Sequence, residues 1–148
     1  MFVSDWVAPK QGDIVWCYFP YPDRMTQRHP ALVLFVDSSV KPAEVIVAGG
    51  TSHRKGNIQR PQQAYDFLVK ESDDWFDQTG LTNPTCFHLD EPNVLRLAFD
   101  QSIFVAVSEL GPKIGALPLT RPEVLERLRL AGQAGNLYEN LKKLGVTK

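Results

Sequence analysis

The chain of 148 residues has only two cysteines, no long apolar run and a net charge close to zero. Cys17 and Cys86 lie far apart and outside any CxxC spacing, which argues against a structural zinc site and a disulfide framework. We expect two buried thiols in a reducing cytoplasm. No stretch reaches the roughly 18 apolar residues of a membrane span. The first residues show no basic segment followed by an apolar run, so we expect no secretory signal.

The charge balance is also unremarkable. A formal net charge of −1 argues against a strongly basic protein that binds DNA without specificity, although it leaves room for a local basic patch. Hydrophobic residues make up 43% of the chain and charged residues 22%, which is ordinary for a globular protein. We expect one domain with a core large enough to fold without disulfides.

Most of the first 110 residues have the pattern of short strands joined by glycine- and proline-rich turns. Six segments are rich in β-branched, aromatic or other apolar residues and are predicted to be strands: Ile14–Phe19, Ala31–Val36, Glu44–Ala48, Asp66–Val69, Thr85–Leu89 and Ile103–Val107. The acidic segment Glu71–Gly80 is predicted to be a loop, with Trp75 and Phe76 covering one end of the core. Its further role is left open. This pattern predicts a small barrel or sandwich.

The last 30 residues change to a helical pattern. Thr120 and Glu123 have the spacing of a capping box, and Pro122 suits the first turn. Gly132 and Gly135 interrupt the helical period, so we predict two helices or one broken helix. The apolar positions that carry the period are Val124, Leu128, Ala131, Leu137, Leu141 and Leu144.

A polar loop between the first two predicted strands carries Arg24, Arg28 and His29, and Pro30 stiffens the entry into the second strand. A cation and an imidazole at the mouth of a strand can bind a phosphate and move a proton. The ordinary pKa of an imidazole, roughly 6.5, suits either direction of proton transfer near neutral pH. A loop histidine without a role is the plainer alternative.

Two further polar pairs stand out. Thr51-Ser52 follows Gly49-Gly50 and, taken alone, is typical of a turn. His88 and Asp90 alternate with apolar neighbours, so both are predicted to lie on one face of a strand. Asp90 would then orient the imidazole or raise its pKa. An exposed strand edge with two unrelated polar residues is an equal alternative.

A series of short motifs follows in order along the chain: Gly12-Asp13-Ile14-Val15, Pro30-Ala31-Leu32-Val33-Leu34 after a basic residue, Thr51-Ser52 after a strand, Gly80-Leu81, Pro84, Phe87-His88-Leu89-Asp90 and Ile114-Gly115-Ala116-Leu117. Each motif is weak alone. Their joint order and spacing resemble the MazF/PemK/Kid family of toxin endoribonucleases over roughly residues 11–130.

The resemblance implies a mainly β fold with a C-terminal helix (α+β), namely an SH3-like small β-barrel of the MazF/PemK/CcdB type. The barrel would span about residues 11–118 and the helical segment about 120–144 of one domain. It implies a cytoplasmic homodimer that cleaves single-stranded RNA without a metal or other cofactor. In that family the 2′-hydroxyl attacks the neighbouring phosphate and leaves a 2′,3′-cyclic phosphate. A cognate antitoxin protein normally occupies the RNA-binding groove.

Residue by residue, the resemblance places His29 where the family usually has arginine, which is a departure from the pattern. Arg28 then supplies the charge from the preceding position as a phosphate clamp. Thr51 and Ser52 match the family's Thr-Ser pair and position the scissile phosphate or the attacking oxygen. His29 and His88 are the acid–base candidates, with neither assigned as acid or base, and Asp90 is the orienting carboxylate.

The predicted RNA-binding surface is basic and partly aromatic. Phosphate contacts would give affinity and salt dependence, and exposed rings would stack on unpaired bases. Its candidate cations are Arg24, Arg54, Lys55 and Arg60, and its candidate rings are Tyr18, Tyr21 and Trp16, although a core position suits Trp16 better.

Three alternatives remain open. The first is a catalytically silent barrel that binds RNA, an antitoxin or another protein; the histidine at the family's usual arginine position is the reason to consider it, since one fold hosts many functions. A gyrase-poisoning toxin shares this barrel, but residues 136–148 show no pattern that supports it. A metal-dependent enzyme would need His29, His88 and Asp90 as ligands, and their spacing matches no ligand motif.

Overall fold

The computed structural model describes residues 6–18, 28–52 and 62–146 of the chain. Within these ranges the protein is mainly β, with two α-helices at the C-terminal end and short 3₁₀ turns at Phe76–Thr79 and Glu91–Asn93. The strands are β1 (Asp13–Cys17), β2 (His29–Asp37), β3 (Glu44–Ser52), β4 (Asp66–Val69), β5 (Thr85–His88), β6 (Val94–Ala98) and β7 (Lys113–Ala116), and the helices are α1 (Pro122–Ala134) and α2 (Leu137–Lys143).

The strands form one antiparallel sheet in the order β4-β5-β3-β2-β1-β7, with β6 also paired to β3. β3 is the central strand of this sheet because it pairs with three others. It pairs with β2 along one side. On its other side it pairs with β6 over Glu44–Ala48 and with β5 over Gly50–Ser52. A register shift between Val33 and Phe35 bends the β2–β3 ladder. The result is a curled half-barrel, consistent with a small β-barrel α+β fold.

Apolar side chains cover both faces of the curled sheet. Ile14, Leu32 and Ile46 lie in a core that includes Trp75 and residues of α1, whereas their strand neighbours point to a second core on the opposite face. That second core contains Trp6, Val15, Ala31, Val33, Val45, Val47, Phe99 and Phe104. Burial on both faces explains why β2 and β3 are continuous apolar runs instead of alternating patterns.

The helical period of the C-terminal segment is confirmed. Val124 and Ala131 are buried, and Leu128, Leu137 and Leu141 pack against the same core. The break between the helices falls at Gly135 and Asn136, where Asn136 has a φ of 59°. Asparagine tolerates this left-handed conformation better than most residues, so the chain can turn there.

The structure differs from the sequence predictions in four respects. Ile103–Val107 is not a strand, since only Phe104 forms an isolated bridge, to Cys17. Thr120 does not cap α1, because the N-cap is Arg121 and no side-chain cap bond forms. β6 and β7 were not predicted as strands. The expected strand at Ile14–Phe19 is observed as Asp13–Cys17, and Phe19 lies outside the described residues.

No helix in the described ranges is long and apolar enough to cross a membrane. Cys17 and Cys86 are both buried and are not joined by a disulfide. Burial raises the pKa of the Cys17 thiol to about 12, so this thiol stays protonated and unreactive at neutral pH.

A partly buried ion network anchors β6 to the rest of the sheet. The Arg96 guanidinium donates to Asp37, to Glu44 Oε1 at 2.6 Å and to the carbonyl oxygen of Leu144 at 2.9 Å. Hydrogen bonds from Ser39, followed by those from Arg96, hold the pKa of Asp37 below its usual value. The network therefore links β2, β3 and β6 to the end of α2.

Replacing Arg96 with methionine is expected to lower stability at neutral pH, because two carboxylates and a carbonyl lose their donor. A carboxyl with a lowered folded-state pKa contributes stability above its unfolded pKa and loses that contribution as the pH falls. The difference in free energy of unfolding between wild type and Arg96→Met should therefore become smaller below about pH 4. Urea unfolding of both proteins across this pH range measures the difference, with Lys70→Met, which also removes an exposed positive charge, as control. A difference that does not change with pH would contradict the assignment.

Candidate functional site

Three neighbouring strands place Thr51, His88 and Asp66 on the same face of the sheet. Thr51 is paired with Cys86 on β5, and Asp66 on β4 is paired with His88. Side chains alternate along a strand, so Phe67 and Phe87 point to the opposite face and are buried in the core. The aromatic core thus fixes the register that brings the three polar groups together.

The polar groups form a continuous chain of hydrogen bonds. His88 Nε2 lies 2.9 Å from Thr51 Oγ1, and His88 Nδ1 lies 2.7 Å from Asp66 Oδ1. Asp66 Oδ2 also accepts a hydrogen bond of 2.9 Å from the backbone N–H of Gln63. His88 is 6% exposed and Asp66 5%, whereas Thr51 is half-buried. The hydroxyl is therefore the end of the chain nearest to solvent.

This arrangement can hold and move a proton. An imidazole bonded to a carboxylate through one nitrogen is fixed in orientation and presents its other nitrogen to a single partner. A hydroxyl, an imidazole and a carboxylate within hydrogen-bond reach is the arrangement that activates an oxygen by removing its proton. The site thus has the parts for acid–base chemistry without an added group.

The start of β2 lies beside the end of β3. The antiparallel ladder pairs Ala31 with Gly49, and its continuation carries His29 toward Thr51. Gly50 permits this approach, because a Cβ there would lie 3.0 Å from the carbonyl oxygen of Pro30 and 2.8 Å from the Phe87 ring. His29 is buried at 7% exposure, and the preceding residue, Arg28, is exposed. A cation and a second imidazole are therefore placed at the same end of the sheet as Thr51.

Asp90 does not have the predicted role. β5 ends at His88, and Asp90 Oδ1 accepts a hydrogen bond of 2.9 Å from Asn93 Nδ2. The carboxylate on the imidazole is that of Asp66, which the sequence analysis did not single out. The only sign of it in the sequence is an acidic residue at the start of the otherwise apolar strand Asp66–Val69. The sequence does not show which strand pairs with this one.

Of the other predicted residues, the structure describes Ser52, Trp16 and Tyr18. Ser52 is the last residue of β3, and alternation places it on the face opposite to Thr51. Trp16 is half-buried in β1, and Tyr18 is 39% exposed after it. The remaining candidates for RNA binding lie outside the described residues: Tyr21, Arg24, Arg54, Lys55 and Arg60.

His29, His88 and Asp90 are not brought together as metal ligands. In the part of the chain that the structure covers, no three His, Cys, Asp or Glu side chains are grouped so that they could hold a metal ion.

No protein-family model matches the chain, and a search of curated proteins finds no match.

Proposed function

We propose that this protein is a metal-independent endoribonuclease that cleaves single-stranded RNA. The observation that carries the proposal is the 2.9 Å contact between Thr51 Oγ1 and His88 Nε2, with the imidazole held by Asp66. Cleavage of RNA by its own 2′-hydroxyl needs one group that takes a proton and another that returns a proton to the leaving oxygen. It also needs positive charge or donors beside the phosphate.

The end of the sheet supplies a candidate for each requirement. His88 and His29 are the two acid–base groups, and Thr51 contacts the attacking oxygen. Arg28 is the exposed cation that faces the phosphate, since its planar guanidinium suits phosphate oxygens. The attack forms a bond between the 2′-oxygen and phosphorus and breaks the bond to the 5′-oxygen, leaving a 2′,3′-cyclic phosphate.

The resemblance to MazF/PemK/Kid toxins supports the same proposal. In both cases a Thr-Ser pair stands at the end of the central strand and a basic residue precedes the proline of the second strand. We accordingly propose an SH3-like barrel of the MazF/PemK/CcdB type, acting in the cytoplasm as a homodimer under the control of an antitoxin protein. His29 at the usual arginine position makes the distribution of charge in this site different from the family pattern.

Replacing Thr51 with valine is the direct test, because valine keeps the β-branched shape and removes the hydroxyl. Wild-type protein should cleave a long single-stranded RNA in the presence of EDTA and leave cyclic-phosphate ends. Thr51→Val should cleave about 10²-fold more slowly, the order expected for loss of one hydroxyl from a reacting site. Gel analysis of end-labelled RNA measures both.

Thr120→Val is the matched control, because Thr120 is exposed and lies in the turn before α1, where it does not cap the helix. It should cleave as the wild type does. Intact RNA after incubation with folded wild-type protein would overturn the proposed activity and favour a barrel that binds its partner without catalysis.

A further inference from the structure

Both carboxylate oxygens of Asp66 have hydrogen-bond partners. Oδ2 accepts from the backbone N–H of Gln63, and Oδ1 contacts His88 Nδ1 at 2.7 Å. The side chain of Asp66 is only 1% exposed, so water does not compete freely for these contacts. An ionised carboxylate can only accept hydrogen bonds, which requires that His88 Nδ1 carries the proton.

The tautomer of His88 determines what its other nitrogen does. With the ring proton on Nδ1, neutral His88 has a lone pair on Nε2, which lies 2.9 Å from Thr51 Oγ1. Thr51 must then donate its hydroxyl proton to the imidazole. The direction of the hydrogen bonds is therefore set from the buried end: Thr51 donates to His88, and His88 donates to Asp66.

We propose that Asp66 is the positioning residue that makes His88 the general base of this site. The role of His88 as a general base rests on the proposed RNA cleavage, whereas the tautomer of His88 does not depend on it. In the step, Thr51 gives its proton to His88 Nε2 and takes the proton of the 2′-hydroxyl. The bond from the 2′-oxygen to phosphorus forms as the bond to the 5′-oxygen breaks. The 5′-oxygen receives a proton from a separate acid, and this assignment leaves His29 as the candidate.

Asp66→Asn is the variant that separates positioning from structure. Its amide keeps the shape of the carboxylate but has one acceptor and one donor group. The Gln63 N–H needs the acceptor, so the amide NH₂ is turned toward His88 Nδ1. The ring proton then moves to Nε2, and His88 donates to Thr51 instead of accepting. The base is removed while all members of the hydrogen-bonded chain remain.

Nitrogen NMR of ¹⁵N-labelled full-length protein reads the tautomer directly. The chain has three histidines, so the signals of His88 can be assigned by their loss in a His88→Asn variant. The spectra are recorded at rising pH until the imidazole signals stop changing. We expect the wild type to carry the proton on Nδ1 and Asp66→Asn to carry it on Nε2. A wild-type proton on Nε2 would overturn the proposal without any variant.

Asp90→Asn is the matched control, because Asp90 contacts Asn93 and not the imidazole. It should leave the tautomer of His88 unchanged, and a shift would show that the signal does not report on Asp66. RNA cleavage separates the remaining outcomes. A tautomer change in Asp66→Asn with wild-type cleavage rates overturns His88 as base. If the tautomers are as expected but the wild-type protein leaves RNA intact, Asp66 is supported as the positioning residue and the proposed nuclease activity is overturned.

Discussion

Replacing His88 with asparagine is expected to slow RNA cleavage by about 10²- to 10⁴-fold, the range found when a general acid or base is removed. The Asn amide nitrogen takes a place close to that of Nδ1 and continues to donate to Asp66. No group then reaches Thr51, because the far side of the ring, with Nε2, is gone. The variant therefore removes the proton acceptor and keeps the donor that the buried carboxylate needs.

The measurement is the initial rate of cleavage of a long single-stranded RNA in EDTA, at matched concentrations of folded protein. His88→Gln is the companion variant, since its longer side chain presents an amide to Thr51 and removes the ring nitrogen from Asp66 Oδ1, while the Gln63 N–H still donates to Oδ2. We expect it to be inactive and also less stable, by about 1–3 kcal/mol, because a buried acceptor is left unsatisfied. A His88→Asn protein that cleaves at the wild-type rate would exclude His88 from the reaction.

Among the glycines in the described ranges, Gly80 is expected to lose the most stability when it is replaced with alanine. Gly80 follows the 3₁₀ turn Phe76–Thr79 with a φ of 71°, and a Cβ there would lie 1.9 Å from the carbonyl oxygen of Ile114. A Cβ added at Gly115 would likewise overlap this turn, at 2.2 Å from the carbonyl carbon of Thr79. The left-handed conformation and the backbone overlap together are expected to lower the free energy of unfolding by about 3 kcal/mol or more.

Gly132→Ala is the control for this substitution. Gly132 lies within α1, where alanine favours the helix by about 1 kcal/mol. A Cβ there would meet Leu137 Cδ2 at 3.2 Å, the end of a flexible side chain that can move. Stability should therefore change by no more than about 1 kcal/mol. Equilibrium urea unfolding measures the free energy of unfolding of both variants. If Gly80→Ala and Gly132→Ala were equally stable, Gly80 would not pack against the Ile114 carbonyl of β7.

The elements that the sequence pattern could predict are those whose apolar residues form continuous runs. The positions of β2, β4 and β5 and of the break between the two helices were predicted to within about two residues. β3 instead continues past the predicted end at Ala48 to Ser52, so Thr51-Ser52 is part of the strand and not a turn. β6 was missed because Arg96 interrupts its apolar pattern. That arginine is accommodated by Asp37 on β2 and Glu44 on β3, which are distant in the sequence.

The errors have a related cause. Ile103–Val107 has the composition of a strand, but it meets β1 only around the isolated bridge between Phe104 and Cys17, where Val105 N–H donates to the carbonyl oxygen of Trp16. No continuous ladder forms, so its β propensity is not realised. β7 has the reverse character, since Gly115 weakens its propensity while the close contact with Thr79 requires that glycine. In both cases packing against another element decided the outcome, and local sequence does not contain that information.

The sequence by itself determined that this chain forms a β-rich domain, and it identified Thr51 and His88 as residues worth examining. Alternation along β5 predicts that His88 points to the face opposite to Phe87, because side-chain direction along a strand follows from local backbone geometry alone. Only the tertiary structure decided which carboxylate serves the imidazole. Asp66 and His88 are 22 residues apart, and their contact depends on the register between β4 and β5. That register is set by the burial of Phe67 and Phe87 in a common core, which is a property of the folded chain as a whole.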